Sequence, residues 1–189
     1  MQKIDFVSKL EKPNFIKPIM LNYTLNGVQR QWEAVITHSS VSILLYHKQK
    51  DAFVLVKQLR PAVLHANKKD GQMYEMCAGI IDKDASDEQI AKEEVLEECG
   101  YDIPVQNLEK VTSFYTNVGI SGALQTIYYG ELTDDMKVSE GGGLIEENIE
   151  VIYLPLNEAK SFMFDETYQK TSGVLMAFYW FFDNKKRAN

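Results

Sequence analysis

Cysteine is scarce: the 189 residues hold two, Cys77 and Cys99. They form neither a CxxC pair nor a zinc-type spacing, which excludes a disulfide-stapled scaffold and a structural zinc module. One falls on an expected strand and the other on an expected helix, so buried free thiols are expected. The three histidines, His38, His47 and His65, show no ligand spacing and read as surface or loop residues. Long hydrophobic runs are lacking too. No apolar stretch approaches the ~18 residues of a membrane span, and the first residues carry no signal-peptide-like apolar core. The expectation is a soluble, cytoplasmic protein with no membrane partner. Positive charge is in deficit, with 20 Lys and Arg against 27 Asp and Glu and a formal net charge of −7. That balance disfavours duplex nucleic acid as a partner, because such binders need a basic footprint. An anionic ligand would have to be met by local Lys or Arg, or by a cation. The basic run Lys185-Lys186-Arg187 reads as a solvated end. Internal repeats, low-complexity blocks and Ser/Pro-rich linkers do not occur.

What the chain does have is a sufficient core, with 45% hydrophobic residues, and a dense series of strand signals. Met20–Leu25 and Arg30–Thr37 flank Asn26-Gly27, a hairpin signal because both central residues accept positive φ. Val41–Tyr46 and Phe53–Gln58 form a second expected hairpin. Residues 61–72, with Asn67-Lys68-Lys69-Asp70-Gly71, read as a loop. Met73–Gly79 reads as one apolar strand. Further strands are expected at Val111–Tyr115, Gln125–Glu131 and Ile149–Leu154 from their β-branched and aromatic residues. A short helix over about 157–163 and an apolar one over about 171–183 close the chain. The pattern is that of an α/β protein, a sandwich of helices on a mixed sheet with an N-terminal antiparallel hairpin extension. Residues 1–37 are expected to form that extension and 38–189 the main domain.

The most informative segment runs from Gly79 to Tyr101. A helix is expected over about 86–99, capped by Ser86 or Asp87 and closed by Gly100. Glu94, Glu97 and Glu98 then lie within an arc of roughly 100°, with Ala91, Val95, Leu96 and Cys99 on the neighbouring arc facing the core. Three carboxylates at i, i+3 and i+4 repel one another. One reading is a solvated acidic face. The other is a site for a hard divalent cation, for which several carboxylates are suitable ligands.

The strand–loop–helix spacing resembles the Nudix box. Gly79, Glu94, Val95, Glu97, Glu98, Gly100 and Tyr101 fall on its frame without insertion. Ala85 stands where the first Glu of the motif is expected, and Glu93 where an Arg that helps orient the catalytic carboxylates is expected. Lys92, the neighbouring cation, points roughly 100° away on the helix. The likeness extends from about residue 20 to about 180. Trp32-Glu33-Ala34-Val35, Leu55–Val63, Glu75–Gly79, Gly119–Gly122 and Gly141–Glu147 look like the nucleoside-diphosphate-sugar branch, and within it the UDP-glucose diphosphatase type. Members of the branch hydrolyse ADP-ribose, UDP-sugars or GDP-mannose.

The resemblance implies attack of water on a diphosphate, releasing a nucleoside monophosphate and a sugar 1-phosphate. It implies Mg²⁺, with Mn²⁺ a possible substitute, held by Glu94, Glu97, Glu98 and the carbonyl of Ala78. Glu147, or alternatively Glu146, is the candidate base, following a triple-glycine segment that can let a loop close over substrate. Arg60 is the candidate phosphate clamp, because a guanidinium binds two oxygens at once. Glu75 either binds sugar or metal-bound water or lies on a solvated strand face. Trp32 either stacks on a base or packs in a core or interface. The hairpin and the last helix suggest a homodimer, as in the branch. A competing reading is a non-catalytic nucleotide sensor on the same scaffold, motivated by Ala85 and Glu93. A further one is a structural domain with a solvated acidic helix.

Overall fold

The computed structural model describes residues 3–144 and 147–185. Nine strands and four α-helices follow one another as β1 (Lys17–Leu25), β2 (Val28–Ile36), β3 (Ser40–His47), β4 (Ala52–Leu59), α1 (Pro61–Asn67), β5 (Gln72–Glu75), β6 (Cys77–Ile80), α2 (Asp87–Glu94), β7 (Glu109–Tyr115), β8 (Leu124–Leu132), β9 (Glu150–Pro155), α3 (Leu156–Phe164) and α4 (Ser172–Asn184). The main sheet has seven strands in the order β5-β4-β3-β8-β7, with β6 added to β3 and β9 to β4. β3 and β8 run parallel and the other pairs antiparallel, so the sheet is mixed as expected.

Alternation along the central strands divides the interior into two layers, since successive side chains point to opposite faces. Ile43, Leu45, Val54, Val56 and Tyr128 face Ile90, Ala91, Val95 and Cys99 of the acidic helix. Leu44, Phe53, Leu55, Ile127 and Tyr129 face Phe162, Val174, Phe178 and Phe181 of α3 and α4. Phe53 and Phe178 stack at 4.2 Å. Each fully buried side chain of this size contributes about 1.5–3 kcal/mol of transfer free energy. The last helix therefore covers a sheet face. Among the described residues no helix is long and apolar enough to cross a membrane.

The hairpin β1–β2 forms as its Asn-Gly pair predicts, with φ of 53° at Asn26 and 79° at Gly27. It is a separate two-stranded sheet. Val35 N–H donates to the Ile120 carbonyl at 2.7 Å, and Trp32 Nε1–H to that of Gly119 at 2.8 Å. Directly paired residues share a face, so Leu21, Tyr23 and Leu25 stand beside Trp32 and Val28, and all five are exposed.

Four local expectations are corrected. The region expected as a loop at 61–72 contains α1. Pro61 presets the first turn, Leu64 buries itself, and Lys68 closes the helix in the left-handed region. The strand expected over 73–79 is two strands: β5 pairs with β4 and β6 with β3, and the chain changes partner at buried Met76. His47 is fully buried, its ring edge-on to Tyr101 and Tyr153, because it is an inward position of β3. Leu96, expected in the core, is 38% exposed. The helix widens into a π turn over Val95–Cys99, which rotates Leu96 outward while Val95 and Cys99 stay buried.

Candidate active site

The acidic helix is positioned at both ends. Ser86 Oγ accepts from the Gln89 N–H at 3.2 Å, capping the start. Gly100 ends it at φ 75°, where a Cβ would overlap the Ser139 carbonyl. Between them the helix lies on β6. A Cβ at Gly79 would occupy the space of the Glu94 carboxylate, so the glycine lets that side chain lie against the strand. Glu98 Oε2 accepts a hydrogen bond from the Ala78 N–H at 3.0 Å. Two glutamates are thus brought against the backbone of one short strand.

Burial governs their charge. Glu98 is 5% exposed, and desolvation raises its pKa to about 8; the Ala78 N–H and Cys77 thiol oppose the rise, while Glu94 and Glu147 add to it. Glu94 is raised to about 7, first by burial and next by Glu97; Lys83 opposes the rise. Glu97 itself is exposed. The solvated-face reading therefore fits Glu97 but not Glu94 and Glu98. Among the described residues no three Asp, Glu, His or Cys side chains converge on one ligating point. The donor chemistry nevertheless suits a hard divalent cation: carboxylates held against a strand backbone at a cost that a positive charge would relieve.

Opposite the glutamates, Arg60 donates through Nε to Glu75 Oε1 at 2.9 Å and through Nη2 to Glu75 Oε2 at 2.6 Å. Gln58 Nε2 also donates to Glu75 at 3.4 Å. Glu75 is buried, which removes the solvated-strand alternative for it. The Arg60 pKa is raised by Glu75 first, with Glu98 and Glu147 contributing, so the guanidinium lies in the field of the acidic group. Glu147 lies within the field of Glu94, Glu98 and Arg60, its Oε2 accepting from the Leu144 N–H at 2.9 Å. Glu146, the alternative base, falls outside the described residues. Trp32 is 51% exposed and hydrogen-bonded to the loop after β7, not to the glutamates.

Sequence reasoning missed Lys83. Its ammonium pairs with Glu93, which also accepts from Gln89 Nε2 at 2.9 Å. Lys92 instead pairs with Asp102 at 3.0 Å. The acid at position 93 is thus answered by a cation from the loop before the helix. Helical periodicity cannot find such a partner; the departure at Glu93 was the only signal. The pair is solvent-exposed, so its contribution to stability is small.

No family model matches the chain. It is similar to the uridine diphosphate glucose pyrophosphatase of Bos taurus, 39% identical over 196 residues that cover 89% of this chain and 88% of that one. The protein of the same name from Mus musculus is 38% identical, with the same coverage. The GDP-mannose pyrophosphatase of Cronobacter sakazakii is 36% identical over 132 residues, 70% of this chain and 68% of that one.

Proposed function

This chain belongs to the Nudix family of nucleotide-sugar hydrolases, and on that premise we propose that it hydrolyses the diphosphate bond of UDP-glucose with the help of Mg²⁺. Water adds across one P–O–P link, giving UMP and glucose 1-phosphate. The substrate choice rests on the greater likeness to the uridine diphosphate glucose pyrophosphatases, 39% identity over 89% of the chain against 32% over 84% for a GDP-mannose pyrophosphatase of similar coverage. The observation that carries the catalytic reading is the placement of half-buried Glu94 and buried Glu98 against Ala78 and Gly79.

The proposed roles follow from chemistry and placement. Glu94, Glu97, Glu98 and the Ala78 carbonyl would hold Mg²⁺, or Mn²⁺ in its place. The ion supplies charge neutralisation at the diphosphate and a lowered pKa for the attacking water. Glu147 takes the proton of that water, within the field of Glu94 and Glu98. Arg60 meets a phosphate oxygen, with Glu75 fixing the guanidinium plane; its Nη1 is not used by Glu75. The apolar hairpin face fits a second copy of the chain, because an isolated two-stranded sheet is marginal in water, so we propose a homodimer. The two free thiols suit the cytoplasm.

Product analysis on UDP-glucose, ADP-ribose and GDP-mannose, with Mg²⁺ and with EDTA, tests the proposal. Metal-dependent release of UMP, fastest from UDP-glucose, is the expected result. Silence on all three, with metal binding demonstrated, would turn the reading toward the sensor alternative.

A further inference from the structure

A triple-glycine run looks like a hinge, but here it is built into the end of the acidic helix. A helix leaves its last carbonyls without intrahelical partners. The segment after β8 takes them in turn. Gly143 N–H donates to the Glu97 carbonyl at 3.1 Å and Gly142 N–H to that of Glu98 at 2.8 Å. Lys137 Nζ donates to the Cys99 carbonyl at 3.0 Å. The N–H groups of Val138 and Ser139 donate to that of Gly100 at 2.9 and 3.2 Å. The same segment continues to Glu147, whose N–H donates to the Leu144 carbonyl at 2.9 Å and whose Oε2 accepts from the Leu144 N–H. Ile149 N–H returns to the Gly142 carbonyl at 3.2 Å.

Each glycine has its own reason. Gly141, Gly142 and Gly143 have φ of 73°, 109° and 69°. A Cβ at 141 would overlap the Glu98 carbonyl, and one at 143 would overlap the Glu147 carboxylate. At 142 the nearest atom is the Ile149 carbonyl oxygen at 3.6 Å, so only the backbone angle excludes a side chain there.

We infer that Gly142 and Gly143 form a clamp and not a hinge: as positioning residues they hold the backbone of Glu97 and Glu98, and the next residue, Leu144, holds the Glu147 carboxylate through its N–H, so that the three glutamates form one preset unit. The kinetic consequence rests on the proposed function. Substrate meets an arrangement already made.

Amide hydrogen exchange on the ligand-free full-length protein tests the clamp without activity. The Gly142 and Gly143 amides should exchange about 100-fold or more slower than in an unstructured peptide. Exchange at the peptide rate overturns the inference. Kinetics supply the second test. Gly142→Ala should lower kcat by about 10- to 100-fold with KM little changed, as misplacement of a reacting group does. Adding Glu147→Gln should then cost no more than about twofold further, because Glu147 is already out of place. Independent, multiplying losses overturn the clamp. Should Gly142→Ala fail to fold, the exchange result on the wild type decides. Slow exchange in a wild type that does not turn over UDP-glucose would uphold the clamp while rejecting the proposed substrate.

Discussion

Arg60, just past the end of β4, and Glu75 of β5 form a two-point ion pair, with Glu75 buried and the Arg60 side chain 46% exposed. The pair fixes the guanidinium plane beside the acidic group. Arg60→Ala is expected to raise KM and lower kcat together, because a phosphate contact is lost. It should also destabilise the fold by about 1–3 kcal/mol, less than the cost of breaking a fully buried pair, since water screens half of the arginine. Michaelis kinetics and denaturant unfolding check both effects. Unchanged kinetics would return Arg60 to a structural role alone.

Gly79→Ala separates site from fold. The new Cβ meets only the flexible end of Glu94, so the protein should fold with a loss of about 1 kcal/mol. Turnover should fall far more than stability, because Glu94 is displaced. Gly100→Ala gives the opposite outcome, since its Cβ meets backbone at Ser139 and φ is positive; soluble yield and melting temperature should drop. Equal behaviour of the two variants would contradict the assignment of Glu94 to the site.

Stability in EDTA should fall as pH rises from about 5 to about 8. Glu94 and Glu98 have folded-state pKa values near 7 and 8, above the ordinary 4.5. They bind protons more tightly folded than unfolded, so their contribution is full below about 4.5 and is lost as pH rises through 7 and 8. Glu88, Glu93, Glu131 and Asp165 are held below their usual range and act in the opposite sense, but only at more acid pH. His47, whose pKa burial lowers from 6.5, also acts in the opposite sense up to about that pH, so the fall is cleanest between about 6.5 and 8. Mg²⁺ should flatten the slope by stabilising the ionised pair. Melting curves from pH 5 to 8 with EDTA or Mg²⁺ measure this, and a slope of the opposite sign, or one indifferent to metal, would count against the cation site.

The hairpin gives a prediction about assembly. Leu21→Glu, on the apolar face shared with Trp32, should convert a dimer to a monomer in sedimentation. Thr24→Glu, on the other face, should not. A wild-type monomer would remove the proposed interface.

Much of this was legible in the chain, for local reasons. Ser86, the 3.6-residue period and Gly100 delimit the acidic helix without tertiary information, and Asn26-Gly27 specifies its hairpin. The misses came where partners are distant or elements short. α1 spans seven residues, too few for periodicity to outweigh the breakers at 67–71. Nothing local marks the π turn, so periodicity alone puts Leu96 in the core. Whether Glu75 faces water or Arg60 depends on the register of β5 on β4, which no single segment reveals. Lys83 was invisible because it reaches Glu93 from outside the helix. Composition alone makes the glycine run look like freedom, whereas its carbonyl partners on the helix end make it a constraint.

The most direct test of the central claim is the turnover of UDP-glucose by Glu98→Gln at saturating Mg²⁺. Glutamine keeps an oxygen to accept from the Ala78 N–H and removes the buried charge, so folding should survive. The account predicts a kcat lower by about a hundredfold or more, with melting temperature unchanged or raised in EDTA near pH 8. A wild-type rate in this variant would contradict the assignment of the acidic helix to the chemistry.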